Sequence, residues 1–281
     1  MNLDRLIIEQ FRRDGVVLLR NALNPAELDA ALSAWQWSVE HPGPSASGLV
    51  PGSDDAFQDL CNPQAPAVYE RVIRETPLAS IAHQLWGGSA VWYLYEQVFH
   101  KRSLNVPRTP WHQDTSYWSI RGTELVAFWI SFESIPAESA LEFVRGSHRG
   151  TLYNTSKFDP EDTTIPIFEV AADHPGYLPR LPDIESNRAE HDIVAFASEP
   201  GDVIAFHTST LHGGGATDAA TPERRTLTIR FFGEDCQIAH SPGPPGPFGS
   251  EIGHLSIDEP LRHPRFFKAI ESADIRNIFG K

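Results

Sequence analysis

The chain has 281 residues, enough to bury a large core, and its 37 acidic against 23 basic residues give a net charge of −14, which argues against nonspecific binding to nucleic acid or to an anionic membrane. Cys61 and Cys236 stand far apart and outside any paired-cysteine pattern, so neither a disulfide framework nor a zinc finger is expected. With no apolar leader and no run of 18 apolar residues, the expectation is a soluble, cytoplasmic protein.

Leu3, Leu6, Ile7, Gln10 and Phe11 fall at helical spacing, and Gly15 ends that helix before the apolar strand VVLLR. Asn24 followed by Pro25 reads as an N-cap with proline in the first turn, and Leu28, Ala31, Leu32 and Trp35 form the apolar stripe of the second helix, Trp35 being a core residue. Residues 41–66 are rich in Pro, Gly, Ser and Asp and predict a long loop of the kind that serves as a lid, and a further helix is expected over 77–86. Strand patterns follow at 90–100, 109–118, 124–134, 141–147, 192–198, 202–207 and 225–235. Between them, 154–190 is polar and proline-rich and predicts an excursion over the sheet; SPGPPGPFG from 241 is a loop, and 259–279 is expected to close in a helix or two. The pattern predicts one domain over 1–281, mainly β with flanking helices and of sandwich or barrel type. Its expected parts are a helical section over 1–88, a β core over 89–240 and a C-terminal loop and helix over 241–281.

The segment PWHQDTSYW carries the most chemistry. If it is a strand, His112 and Asp114 share one face and offer an imidazole and a carboxylate side by side. One more His from a distant strand would complete a 2-His-1-carboxylate set, which suits non-haem Fe(II). Composition alone yields about one or two His-x-acid matches in such a chain, and it has one, so the pair needs support. That support lies in DVIAFHTSTLHGGG, where His212 sits at a strand rim beside Gly213, Gly214 and Gly215, which leave backbone room for a ligand. His207, inside the strand run, is the weaker alternative. Arg224 opens the next strand and Arg225 follows it. Alternation sends the two to opposite faces, so one of them can return beside the metal as a two-pronged partner for a carboxylate, with Arg224 preferred. Tyr117 and Trp118 read as wall or core, His148 as a turn histidine or a substrate contact, and Lys101 and Arg102 as a solvated strand end or an attractor of anions.

These motifs, in this order, resemble the phytanoyl-CoA dioxygenase family of Fe(II)/2-oxoglutarate oxygenases: FRRDGVVLLRNALNPAELDA, WHQDTSYW, AFWISFES, EFVRGSHRG, LHGGG and RRTLTIRFF. The resemblance implies a double-stranded β-helix, or jelly roll, in which His112, Asp114 and His212 hold the iron. It implies Arg224 as anchor of the far carboxylate of 2-oxoglutarate, with Trp129 and, less strongly, Gln97 beside the cosubstrate. The loop between His212 and the arginine pair is one residue longer than is common in the family, which keeps Arg225 open. The implied reaction uses O₂ and 2-oxoglutarate to hydroxylate an unactivated C–H bond of a small organic substrate, releasing succinate and CO₂. Related halogenases replace the carboxylate by a small residue, so Asp114 favours hydroxylation. Two other readings stand beside it: a cupin-like metalloenzyme that does not use 2-oxoglutarate, and a jelly-roll ligand-binding module without catalysis. The sequence leaves substrate and oligomeric state open.

Overall fold

A computed structural model describes residues 2–48, 55–87, 90–102, 106–159, 161–217 and 222–271. In chain order the strands are β1 (Val16–Leu19), β2 (Ser47–Gly48), β3 (Ala56–Leu60), β4 (Val91–Lys101), β5 (Thr109–His112), β6 (Ile120–Arg121) and β7 (Leu125–Ser131), then β8 (Leu141–Val144), β9 (Ile193–Ala195), β10 (Val203–Phe206), β11 (His212–Gly214), β12 (Arg224–Phe232), β13 (Gln237–Ile238) and β14 (Lys268–Ile270). The helices are α1 (Arg5–Asp14), α2 (Pro25–Glu40), α3 (Ala65–Glu75), α4 (Leu78–Trp86) and the single turn α5 (Gly249–Ile252). A major sheet runs β1-β10-β7-β12-β4-β3-β2 with β14 also on β4, a minor sheet runs β5-β11-β8-β9, and β13 pairs β6 in a separate ribbon. This is a jelly roll with helices packed on the outer face of its major sheet.

The residue pattern explains the layering. On β7 and β12 one alternate row, Val126, Phe128, Ile130, Leu227, Ile229 and Phe231, joins Phe11, Trp35, Tyr69 and Leu78 of the helices in the largest core cluster. The opposite row of β7, Ala127 and Trp129, meets Phe143 of the minor sheet together with Ile204 and Phe206. Every residue of β7 is therefore buried, as a central strand covered on both faces must be. On β12 the opposite row is instead polar, reading Arg224, Thr226, Thr228 and Arg230, all buried. Apolar residues on one side and buried polar ones on the other mark the face on which a site can be built.

The helix ends follow their residues. Asp4 caps α1 by accepting from the Leu6 amide, and Gly15 closes it at φ 75. A side chain at Gly15 would also meet the Thr210 hydroxyl at 2.5 Å, so glycine serves both the turn and the close packing. Asn24 and Glu27 form a reciprocal capping box at the start of α2. No helix among the described residues is long and apolar enough to cross a membrane.

Several expectations change. The strand through the His112 motif ends at His112, and Asp114 begins a 3-10 turn, Asp114–Tyr117. The 41–66 stretch is not all loop: β2 and β3 extend the major sheet there, with Asp59 accepting from the Gly43 amide across the turn. Polar strand residues at a sheet edge hide the alternation that would reveal such strands. Helix α3 begins inside the segment assigned to loop; Pro66 in its first turn is helix-compatible but resembles loop composition. The 1–88 section thus supplies strands as well as helices. At the C-terminus 259–271 holds β14 rather than a helix, and 272–279 lie outside the described residues. The 154–190 excursion is irregular for most of its length, as expected.

Candidate metal centre

β5 and β11 are neighbours in the minor sheet, and their register sets His112 opposite His212. The two rings lie 4.2 Å apart between centroids. Each ring is oriented by its own backbone: His112 Nδ1 is 2.9 Å from the Pro110 carbonyl and His212 Nδ1 is 2.9 Å from the Thr210 carbonyl. A carbonyl can only accept, so the proton sits on Nδ1 and both Nε2 lone pairs face inward. There they meet Asp114 Oδ1, 3.6 Å from His112 Nε2 and 3.8 Å from His212 Nε2. The three ligand atoms lie within 4.8 Å of one another, close enough for one ion to bind all three.

The turn that carries Asp114 is fixed from behind. Gln113 donates to the carbonyls of Ser209 and Thr151 and accepts from the Tyr153 amide, and the hydroxyls of Thr115 and Thr208 are 2.7 Å apart. The loop leading to His212, the Asp114 turn and the start of the excursion are thus joined by one buried glutamine. That residue went unremarked in the sequence because a polar side chain between two ligands gives no periodic signal.

A second missed residue is Arg230. Its Nε and Nη2 donate to Asp114 Oδ2 at 2.9 and 2.8 Å, and Nη2 also donates to Gln97 Oε1 at 2.9 Å. One carboxylate oxygen is held by the guanidinium and the other is left facing the imidazoles. Burial by itself would raise the Asp114 pKa, but the Arg230 charge with the histidine contacts holds it well below the usual carboxylate range. For His212, burial first and the His112 ring second push the pKa down to about 3. A neutral imidazole and an ionised carboxylate are the forms that ligate a metal. The available signal for Arg230 was its even spacing from Arg224, which puts both on one face of β12.

These groups open into a cavity of about 990 Å³ lined by Gln97, Lys101, Trp129, Arg224 and Arg230, by Tyr117 and Trp118, and by the 241–247 loop. Gln97, Thr228 and Trp129 stand in one row across β4, β12 and β7, and Lys101 faces Arg224 in register. Arg224 Nη1 and the Lys101 amine both donate to the Gly215 carbonyl, at 2.7 and 2.8 Å, so two cations share one end of the cavity. Burial, helped by the Arg224 charge, pulls the Lys101 amine down to about 7. Arg225 points the other way, with its Nε 2.6 Å from Glu133 and its guanidinium over Trp35. Arg102 lies outside the cavity lining and is exposed. His207 is packed near His148, with ring centroids 5.3 Å apart, and is pushed down to about 4 chiefly by burial. Neither of those two histidines belongs to the metal-ligating cluster.

Solved structures share this fold. The non-haem alpha-ketoglutarate-dependent carbocyclase SnoK from nogalamycin biosynthesis is 20% identical, with a TM-score of 0.69 over 95% of this chain and 96% of that one. The epimerase SnoN, in complex with Fe³⁺, alpha-ketoglutarate and nogalamycin RO, is 18% identical at a TM-score of 0.66, covering 94% of this chain and 98% of that one. EctD from S. alaskensis, with 2-oxoglutarate and 5-hydroxyectoine, is 18% identical at 0.64, covering 88% and 82%. None of the curated proteins matches the chain. The profile of the family described as Phytanoyl-CoA dioxygenase (PhyH) matches residues 11–226, which include the two histidines, the carboxylate and Arg224, and the chain belongs to that family.

Proposed function

We propose that the chain is a non-haem Fe(II)/2-oxoglutarate-dependent oxygenase that hydroxylates an unactivated C–H bond of a small organic substrate. One observation carries the reading: two inward imidazole Nε2 atoms and one carboxylate oxygen converge at the wall of a cavity whose far end holds a buried arginine. The donor set fits Fe(II), since two imidazoles and one carboxylate on one side leave the other side of an ion open. His112, Asp114 and His212 would hold it. Arg224 would receive the far carboxylate of 2-oxoglutarate, with Trp129 and Gln97 along its length.

With Fe(II), 2-oxoglutarate and O₂ bound, the centre supplies the oxidant for hydroxylation and releases succinate and CO₂. The residues of the chain do the rest. Arg230 keeps Asp114 ionised and presents a single oxygen. The Pro110 and Thr210 carbonyls keep both imidazoles in the ligating tautomer. Trp129, Phe206 and Leu141 line the cavity on the jelly-roll side and limit water there. The carboxylate at Asp114 supports hydroxylation over halogenation. Cyclisation and epimerisation are named for the structural neighbours, so the product decides among the remaining outcomes.

The test supplies Fe(II), 2-oxoglutarate and O₂ to the purified protein with a substrate library and follows succinate and product mass. Succinate formation with gain of one oxygen atom in the product, abolished in His112→Ala, is the expected result. Full succinate formation by His112→Ala removes the metal assignment, and a product of unchanged oxygen content removes hydroxylation.

A further inference from the structure

The excursion over 154–190 places the Phe158 ring beside His112 and the Phe168 ring on the 241–247 loop, in a manner its sequence does not announce. Phe158 has φ 57, in the left-handed region that disfavours a bulky side chain. The loop holds it there: the Phe158 amide donates to Ser156 Oγ at 2.9 Å, Ser156 donates in turn to the Thr163 carbonyl, and the Lys157 amide donates to the Ile165 carbonyl at 2.9 Å. The ring stands edge-on to His112 at 5.5 Å between centroids and is 6.4 Å from Tyr117. It is nonetheless 39% exposed, and Phe168 on the return of the same excursion is 37% exposed. Phe168 packs so closely on the 241–247 loop that a side chain at Gly243 would meet it at 2.2 Å. Two large apolar rings are thus held partly in water, by a strained backbone at one and a glycine at the other, where both line the cavity.

Two further charged residues of the cavity lining, Arg108 and Glu185, are tied into one ion-pair cluster. Arg108 ion-pairs with Glu185 and with Glu142 at 2.7 Å, Arg188 reaches the same two carboxylates, and the Trp111 indole donates to Glu185. Inside, Asp114 is paired with Arg230, and the two cations Lys101 and Arg224 sit together at the cosubstrate end. Among the described cavity-lining residues, Arg108 and Glu185 are the charged ones besides Lys101, Asp114, Arg224 and Arg230, and each has the other. A carboxylate, phosphate or ammonium on the substrate would have to compete with these existing pairs for a counter-charge, which a neutral ring system need not do. A cavity of about 990 Å³ is at the upper end for drug-sized ligands, so room remains beside a five-carbon diacid.

We infer that the substrate is an uncharged molecule presenting a flat ring system to Phe158, Phe168 and Tyr117, and that Phe158 is the residue that selects it. This rests on the oxygenase reading above for the position of the reacting carbon, though the ring site itself can be measured separately. Aromatic side chains bind a further ring by offset-stacked or edge-to-face contact and need no charge to do so. An acyl-coenzyme A, with its phosphates, and a zwitterionic amino acid are both disfavoured by the same walls.

The experiment titrates the full chain, with Fe(II) and 2-oxoglutarate under anaerobic conditions, against quinizarin, an anthraquinone carboxylate, decanoyl-coenzyme A and L-proline, reading quenching of tryptophan fluorescence. Quinizarin should bind the wild type at least about tenfold more tightly than the other three, and Phe158→Ala should weaken quinizarin about tenfold, with Phe158→Leu between them. Thermal stabilisation by Fe(II) and 2-oxoglutarate in the same variants reports that the metal site is formed. Equal or tighter binding of the carboxylate, decanoyl-coenzyme A or L-proline overturns the inference, as does failure of quinizarin to bind or unchanged quinizarin affinity in Phe158→Ala. Ring binding that persists while the wild type shows no response to Fe(II) and 2-oxoglutarate removes the oxygenase reading and retains the ring site.

Discussion

Arg230 and Asp114 form a fully buried ion pair in which two guanidinium N–H groups hold one carboxylate oxygen, Oδ2, while Oδ1 faces His112 and His212. The pair divides the carboxylate between one oxygen held by the arginine and one turned to the imidazoles. Removing the arginine leaves a buried anion without its counter-charge, a change that costs about 3–5 kcal/mol in buried pairs. Arg230→Met should therefore lower the thermal midpoint of the metal-free protein, and a divalent metal should restore part of the loss because it neutralises the same carboxylate. Calorimetry with and without Fe(II) or Zn²⁺ checks this; a variant as stable as wild type without metal would show that the pair contributes nothing.

Arg224 and Arg225 are neighbours in sequence with opposite surroundings. Arg224 is 3% exposed in the cavity, whereas Arg225 pairs with Glu133 on the other face of β12. Arg224→Ala should raise the KM for 2-oxoglutarate by about a hundredfold, in keeping with loss of a buried charge-assisted contact of about 3 kcal/mol. Arg225→Ala should leave that constant within about twofold and cost roughly 1 kcal/mol of stability, since its ion pair is partly solvated. Steady-state kinetics and urea unfolding of both variants separate the effects, and the reverse order moves the anchor by one residue.

Lys101 gives the Arg224 end of the cavity a pH response. Its pKa is lowered to about 7 by burial and by Arg224, from 10.5 in the unfolded chain. Between about 7 and 10.5 the unfolded state binds more protons, so this residue's contribution to stability rises with pH across that window and its penalty is complete below it. Binding of a dianion favours the protonated amine. The affinity for 2-oxoglutarate should thus fall as pH rises above about 7, by up to tenfold per pH unit, and this dependence should vanish in Lys101→Met. Isothermal titration over pH 6–9 with 2-oxoglutarate reads both, and an identical pH profile in the variant would exclude the lysine.

Gly213 follows His212 on β11 and faces the backbone of β5, the strand that bears His112. A Cβ there would meet the Thr109 carbonyl oxygen at 2.9 Å and the Pro110 carbonyl at 3.1 Å, both backbone atoms of β5. Since β5 cannot move without carrying His112, Gly213→Ala should weaken Fe(II) binding along with stability, the latter by about 1–3 kcal/mol. Metal titration at a temperature where the variant is folded distinguishes displaced ligands from simple unfolding. Wild-type metal affinity in the folded variant would show that β5 absorbs the methyl group.

The glycine end of α1, the capped start of α2 and the central strands were legible in the sequence because each is dictated locally, by a glycine, a cap residue or an apolar row. The grouping of His112, Asp114 and His212, which stand together as a set that could hold an ion, was suggested by motif order and the glycine turn beside His212. What composition concealed were β3 and α3, whose polar or proline-bearing residues look like loop until neighbours cover one face.

Sequence by itself determined which side chains are present for chemistry and which face of β12 each one takes, since alternation along a strand is fixed by backbone geometry. Only tertiary structure decided that Asp114 leaves its strand for a 3-10 turn, that Arg230 comes to grip it from 116 residues away, and that Phe158 reaches His112 from an irregular loop. Those relations depend on strand register and loop packing between distant segments, and no local periodicity encodes them.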